Sequence, residues 1–193
     1  QYLNTKPFFT TTLDLSPEHV DAYELAYIRR AGLNSHFEAN VFYLNNKDQI
    51  HAQNPSHTFL NNGDNNLYGM ELEYKHTFQN NDQFYFNYSY AGGENVGDGL
   101  AGSATHLIKS YYIYNLSDAF SLSAVGRFVG EKDRIEDDLR SEVSSYTLFD
   151  LSANYSRKSE DIAINISVKN ALDAEYFLPS PENTYPDDFE RQG

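Results

Sequence analysis

The feature that most constrains this chain is a side-chain period of two. Phe84, Phe86, Tyr88 and Tyr90 share one face of their segment, while Tyr85, Asn87 and Ser89 fall on the other. Ile162, Ile164, Ile166 and Val168 alternate in the same way with Ala163, Asn165, Ser167 and Lys169. Extended backbone puts successive side chains on opposite faces, so each stretch reads as a strand with one apolar and one polar side. The pattern recurs near residues 19–30, 34–50, 65–79, 82–91, 105–116, 119–130, 145–156 and 161–170, which predicts about eight strands. No stretch carries the 3.6-residue period of an amphipathic helix, and the expected fold class is all-β.

The connections sharpen this. Ala31-Gly32-Leu33, Gln79-Asn80-Asn81-Asp82, Asn115-Leu116-Ser117-Asp118 and Arg157-Lys158-Ser159-Glu160 are short turns. The links between them, 51–64, 92–104, 131–144 and 171 onward, are long. In an antiparallel up-and-down sheet this alternation gathers every short turn at one end and every long loop at the other. Transmembrane β-barrels have that asymmetry, with tilted strands of about 9–11 residues. Tyrosines cluster toward strand ends (Tyr23, Tyr43, Tyr68, Tyr90, Tyr111, Tyr146), as aromatic girdles do at a membrane interface. Soluble β-sandwiches and lipocalin-like barrels also alternate, and the loop asymmetry over successive hairpins is what weighs against them. A complete small barrel keeps both termini on its short-turn side. Here the first strand is entered from the long-loop side and the eighth leaves into a long link, so the chain reads as a transmembrane barrel segment.

Composition closes off other classes. The chain holds 28 Asp+Glu against 14 Lys+Arg, a net charge of −14, which leaves no basic path for nucleic acid. Tyr 16 and Phe 13 make it too aromatic for an acidic disordered segment. No apolar run exceeds four residues, whereas a spanning helix needs about twenty. With no cysteine there is neither a disulfide nor a thiolate ligand.

Four segments carry a family resemblance. Leu15-Ser16-Pro17-Glu18, followed by Tyr23-Glu24-Leu25, is similar to the "L-x-P-E-x-x-x-x-Y-E-L" opening of a descending strand in TonB-dependent outer-membrane receptors. The glycine usual after that leucine is Ala26 here. The stretch from Ala39 through Phe42-Tyr43 to Lys47-Asp48-Gln49-Ile50 resembles the next ascending strand, and Tyr68-Gly69-Met70-Glu71-Leu72-Glu73 its return strand. Val168-Lys169-Asn170-Ala171-Leu172-Asp173-Ala174-Glu175-Tyr176 resembles the segment before the family's last strand. The resemblance implies that residues 1–193 form the C-terminal part of a 22-stranded barrel, without the plug domain and the final strand. It further implies the outer membrane of a Gram-negative bacterium, with surrounding lipid and lipopolysaccharide. Active transport of a scarce ligand such as a ferric siderophore, driven by the TonB complex, is the implied function. A surface adhesin and a soluble small-molecule-binding barrel are the alternatives.

Candidate chemistry is sparse. His51 and His57 share one long loop and are the only ligand-binding candidates, because imidazole can ligate haem iron or another metal. Their spacing matches no standard ligand set, and no resident metal or cofactor is expected. His36, His76 and His106 lie in or beside strands and read as lumen-facing or interfacial. The carboxylate-rich loop from Glu131 to Asp138, with Glu142, is interleaved with Lys132, Arg134 and Arg140. It departs from the EF-hand pattern and is expected to be a solvated loop, as is the acidic stretch 182–190. Gly92-Gly93 to Gly102 lacks the ending of a phosphate loop. Gly69 is expected to mark a bulge or a close backbone approach, and Asn170 and Asp173 a strand terminus. Alternation places Asp150 on the polar face. No nucleophile motif is present, and the chain is not expected to be an enzyme.

Overall fold

The computed structural model describes residues 10–11, 15–53, 58–61, 63–94, 102–134, 138–157, 161–180 and 187–191. Its strands are β1 (Thr10–Thr11), β2 (His19–Ala31), β3 (Ser35–Lys47), β4 (Ile50–Gln53), β5 (Thr58–Asn61), β6 (Asn65–Thr77) and β7 (Gln83–Glu94). They continue with β8 (His106–Asn115), β9 (Phe120–Val129), β10 (Tyr146–Arg157), β11 (Ile162–Val168), β12 (Tyr176–Leu178) and β13 (Phe189–Arg191). Eight form one antiparallel sheet in the order β11-β10-β9-β8-β7-β6-β3-β2. These are the eight strands that the alternation predicts, each beside its neighbour in sequence.

The 51–64 link differs from expectation. It carries a second hairpin, β4 against β5, with β1 running parallel to β5. Four-residue strands flanked by Asn, Pro and Ser are too short for alternation to reveal them. Asn61 ties the hairpin down, since its Nδ2 donates to the carbonyls of Ser16 (2.9 Å) and Asp48 (2.6 Å). A separate antiparallel pair, β12 with β13, lies beyond the main sheet in sequence.

Register sorts the side chains into two faces. One row reads Tyr27, Ala39, Leu72, Tyr88, Ile108 and Phe128 across six strands. The neighbouring row on the other face reads Ile28, Glu38, Glu73, Asn87, Lys109 and Arg127. Phe84, Phe86 and Tyr88 share the apolar face with Ile162, Ile164 and Ile166, as the ladders from β7 to β11 require. Among the described residues the sheet encloses no apolar core, and the one buried apolar side chain is Val143, in the β9–β10 link. Leu25, Val41, Leu151 and Ile166 on the apolar face are all exposed.

The short turns use the residues their backbone demands. Gly32, Asn81 and Asp161 each take a positive φ, which Gly, Asn and Asp tolerate best. In the β8–β9 turn the Ser117 hydroxyl accepts the amides of Ala119 and Phe120 instead. Asp82, 2 % exposed, joins two turns: its carboxylate accepts the Asn115 amide (2.7 Å), the Tyr112 hydroxyl (2.9 Å) and Asn80 Nδ2 (2.8 Å). Those donors, the Asn115 amide foremost, outweigh burial and lower its pKa. Gly69 is a close approach, as expected: Phe42 stands directly opposite and lays its ring where a Cβ would be.

Candidate functional site

Two regions concentrate polar chemistry: the polar face of the main sheet and the end where the long links meet. On the face, cross-strand pairing sets Glu38 directly opposite Glu73, an arrangement that repels unless it is compensated. Lys75 Nζ lies 2.6 Å from Glu73 Oε1, and the Tyr85 hydroxyl donates to Glu73 Oε2 at 3.1 Å. His36 Nε2 lies 3.5 Å from Glu38 Oε2. Tyr85 stacks on Tyr111 at 5.0 Å and 13°, with the Lys75 ammonium 5.4 Å from its centroid. Nearer the long links, Asn40 Nδ2 donates to Glu24 at 2.6 Å, while Asn40 Oδ1 is buried with no partner among the described residues.

Toward β11, Arg127 Nη2 donates to Asp150 Oδ2 at 2.6 Å. The other Asp150 oxygen accepts the Asn170 amide at 2.9 Å, which fixes the chain as it leaves β11. Asn170 then pairs both ways with the backbone of Ala174, and Asn170 and Asp173 both have positive φ. This is the strand terminus expected from Asn170 and Asp173, and Asp150 is on the polar face as alternation required.

At the long-link end the carboxylate-rich loop is not simply solvated, which corrects the sequence expectation. Arg140 forms a fork on Asp138 through Nε (2.9 Å) and Nη2 (2.6 Å). Arg134 reaches Asp188 at 2.5 Å and Asp138 at 3.5 Å, and the side chains of Arg134 and Asp138 are 8 % and 4 % exposed. Arg140 Nη1 also donates to Ser180 Oγ at 2.8 Å, and the Ser180 amide to Asp188 at 3.2 Å. The interleaved arginines thus pair with Asp138 inside the loop and with Asp188 and Ser180 in a segment distant in sequence. The Arg140 guanidinium holds Asp138 down at about pKa 2, and Arg134 does the same for Asp188 in direction.

Backbone bridges extend the unit. Lys132 pairs with both Ala104 and Val143, and the Gly102 amide donates to the Asp133 carbonyl at 2.8 Å. Three long links are therefore tied together. Burial pushes the Lys132 ammonium's pKa down, and its nitrogen lies 5.2 Å from the Tyr146 ring centroid. A cavity of about 340 Å³ opens nearby, between Thr105, His106, Phe128 and Glu131. His106 and Phe128 belong to the apolar face, so this cavity borders that face of the sheet.

His51 falls in β4, opposite Leu60, and His57 lies outside the described residues. Residues 135–137 of the acidic loop and 95–101 of the Gly-rich link also lie outside them. His76 and His106 sit on the apolar face, bonded to Ser35 Oγ (2.7 Å) and the Tyr88 hydroxyl (2.9 Å). His36 alone of these three reaches the polar face, where its imidazole, Glu38 and Glu73 gather ligand atoms within 4.8 Å. The His36-Phe37-Glu38 alternation was the available signal for this group, but Glu73 joins it only through register.

Comparison with known proteins gives a consistent result. The family model described as "TonB dependent receptor-like, beta-barrel" matches residues 2–171. No curated protein matches the chain in sequence. Among solved structures, the FrpB iron transporter from Neisseria meningitidis (F5-1 variant) is similar at TM-score 0.75 and 14% identity, over 96% of this chain and 32% of that one. The ferric citrate transporter FecA gives 0.73 and 18%, over 92% and 30%. The ferric-catecholate import receptor Fiu from E. coli K12 gives 0.70 and 16%, over 90% and 27%. At such identities the likeness is one of fold, and the chain spans less than a third of each of these structures.

Proposed function

Because the chain belongs to the TonB-dependent receptor β-barrel family, and so to the outer membrane of a Gram-negative bacterium, we propose that its parent protein imports a scarce ligand. On this reading the eight-stranded sheet is one sector of a larger closed wall that includes strands and a plug not represented in these residues. The apolar face meets lipid, the polar face lines the lumen, and the tied long links face outward, where ligand arrives and where they contact lipopolysaccharide. The energy comes from the TonB complex acting through the plug. The observation that carries the reading is the two-faced wall: apolar rows exposed on one side, and on the other Glu24–Asn40, Glu73–Lys75 and Arg127–Asp150. A soluble barrel would bury those apolar rows inside. The family is one of receptors and not of enzymes, as the sequence led us to expect.

The proposed ligand class is a ferric siderophore or similar iron complex, supported by the iron and ferric-chelate transport roles of the three similar structures. The test is deletion of the parent gene, followed by uptake of ⁵⁵Fe-loaded catecholate, hydroxamate and citrate chelates in iron-starved cells. Loss of one class of uptake, reproduced by deleting TonB, is the expected result. Undiminished uptake of every iron chelate would overturn the iron assignment, and a transport defect that persists without any TonB dependence would overturn the mechanism.

A further inference from the structure

His36, Glu38 and Glu73 stand together on the polar wall, and the transport reading gives them no role beyond lining it. Register forces the meeting: Glu38 and Glu73 are directly opposed, and His36 lies two residues along β3 on the same face. One imidazole nitrogen and two carboxylate oxygens fall within 4.8 Å of one another. Opposed carboxylates repel, and Lys75 answers only one of them, at Glu73 Oε1. Glu38 has the His36 imidazole as its neighbour at 3.5 Å. The side chains of His36, Glu38 and Glu73 are 26 %, 43 % and 25 % exposed, partly desolvated yet reachable from the lumen.

We propose that these three residues bind a first-row divalent cation of the zinc type, and that Lys75 is the displaceable group holding the site when the metal is away. Mixed imidazole and carboxylate donors suit such ions. Metal–donor bonds of about 2.0–2.2 Å place tetrahedral ligands about 3.4 Å apart, so the widest separation, within 4.8 Å, must close by at most about 1.4 Å. Partly exposed side chains make that adjustment by small rotations. A dication neutralises the two carboxylates, whereas Lys75 alone leaves one negative charge unmatched. Lys75 is itself half exposed and can swing into water. The Tyr85 hydroxyl, bonded to the second Glu73 oxygen, stays behind and orients that carboxylate. Three protein donors leave a coordination position open for water or for a donor from whatever lies in the lumen. The proposal is independent of which ligand the receptor imports.

The test uses the intact receptor in detergent micelles, stripped with a chelator and titrated with Zn²⁺ by calorimetry and with Co²⁺ by visible absorption. Heat-modifiable migration confirms that each variant is folded. His36→Ala and Glu38→Gln should each weaken one Zn²⁺ equivalent by at least about tenfold and abolish the tetrahedral Co²⁺ bands. Lys75→Met should tighten the same equivalent several-fold, because it removes the competitor. Zn²⁺ binding indifferent to His36→Ala, or unchanged or weakened by Lys75→Met, would overturn the proposal.

Discussion

Adding a single methyl group at Gly69 probes how tightly the middle of the sheet is built. A Cβ there would lie 2.3 Å from the Tyr90 carbonyl oxygen, and 2.5 and 2.8 Å from two atoms of the Phe42 ring. Cβ contacts under 3.0 Å do not occur, so the carbonyl must retreat by about 0.7 Å and the ring by about 0.5 Å. Turning the ring off its rotamer costs about 0.5–1.5 kcal/mol. The carbonyl belongs to β7, inside the ladder, and disturbing its bonding costs about 1 kcal/mol more. Against this, Gly→Ala recovers about 0.4–1 kcal/mol of unfolded-chain entropy. Gly69→Ala should therefore destabilise the barrel by about 0.5–2 kcal/mol, roughly 2–30-fold in the unfolding equilibrium. The assay is urea unfolding of the intact receptor in detergent, followed by far-ultraviolet circular dichroism. A cycle with Phe42→Ala separates the two obstacles: removing the ring should relieve only part of the penalty, because the carbonyl stays. A Gly69→Ala protein as stable as the wild type would refute the steric reasoning, and full rescue by Phe42→Ala would refute the role given to the carbonyl.

Two other expectations follow from the same geometry. Asp138 and Asp188 have lowered pKa values, so the stability they give is complete above the ordinary carboxylate range and is lost only as pH falls toward about 2 for Asp138. Amide exchange in residues 138–145 and 187–191, corrected for intrinsic rates, should thus be equally slow at pH 7 and pH 5, and acceleration at pH 5 would contradict the ion-pair account. On the sheet, Leu72→Lys on the apolar face should cost about 2–4 kcal/mol in a bilayer, whereas Glu71→Lys one residue away should cost at most about 1 kcal/mol. Similar unfolding midpoints for the two would show that the faces are assigned wrongly.

Much of the wall was legible in the sequence because its rule is local. Alternation alone located the eight long strands, put Asp150 on the polar side and grouped Phe84 with Ile164. Turn chemistry did the same for Asn170, and the isolated glycine in a strand pattern for Gly69. What stayed hidden depends on distance along the chain. Arg134 and Asp188 are 54 residues apart, and nothing in the acidic run says that its arginines would turn away from solvent to clamp a later segment. The pairing of Glu38 with Glu73 needs the register of β3 against β6, which composition and spacing do not supply. His51 and His57 drew attention for their chemistry in a long link, while the histidine that meets carboxylates, His36, sits in the main sheet.

The buried carboxylate of Asp82 has a consequence for assembly. β7 and β8 are joined by a long link, so no tight turn dictates how far one slides along the other, and a slip of one residue would exchange the wet and greasy faces of a strand. Asp82 directly precedes β7 and grips the amide of Asn115 at the far end of β8. It acts as an indexing pin, placed at the opposite end from the connection it regulates. A hairpin with a generous outer loop can then vary that loop in length and sequence without losing its alignment, which leaves the outward surface free to diversify while the wall stays in step.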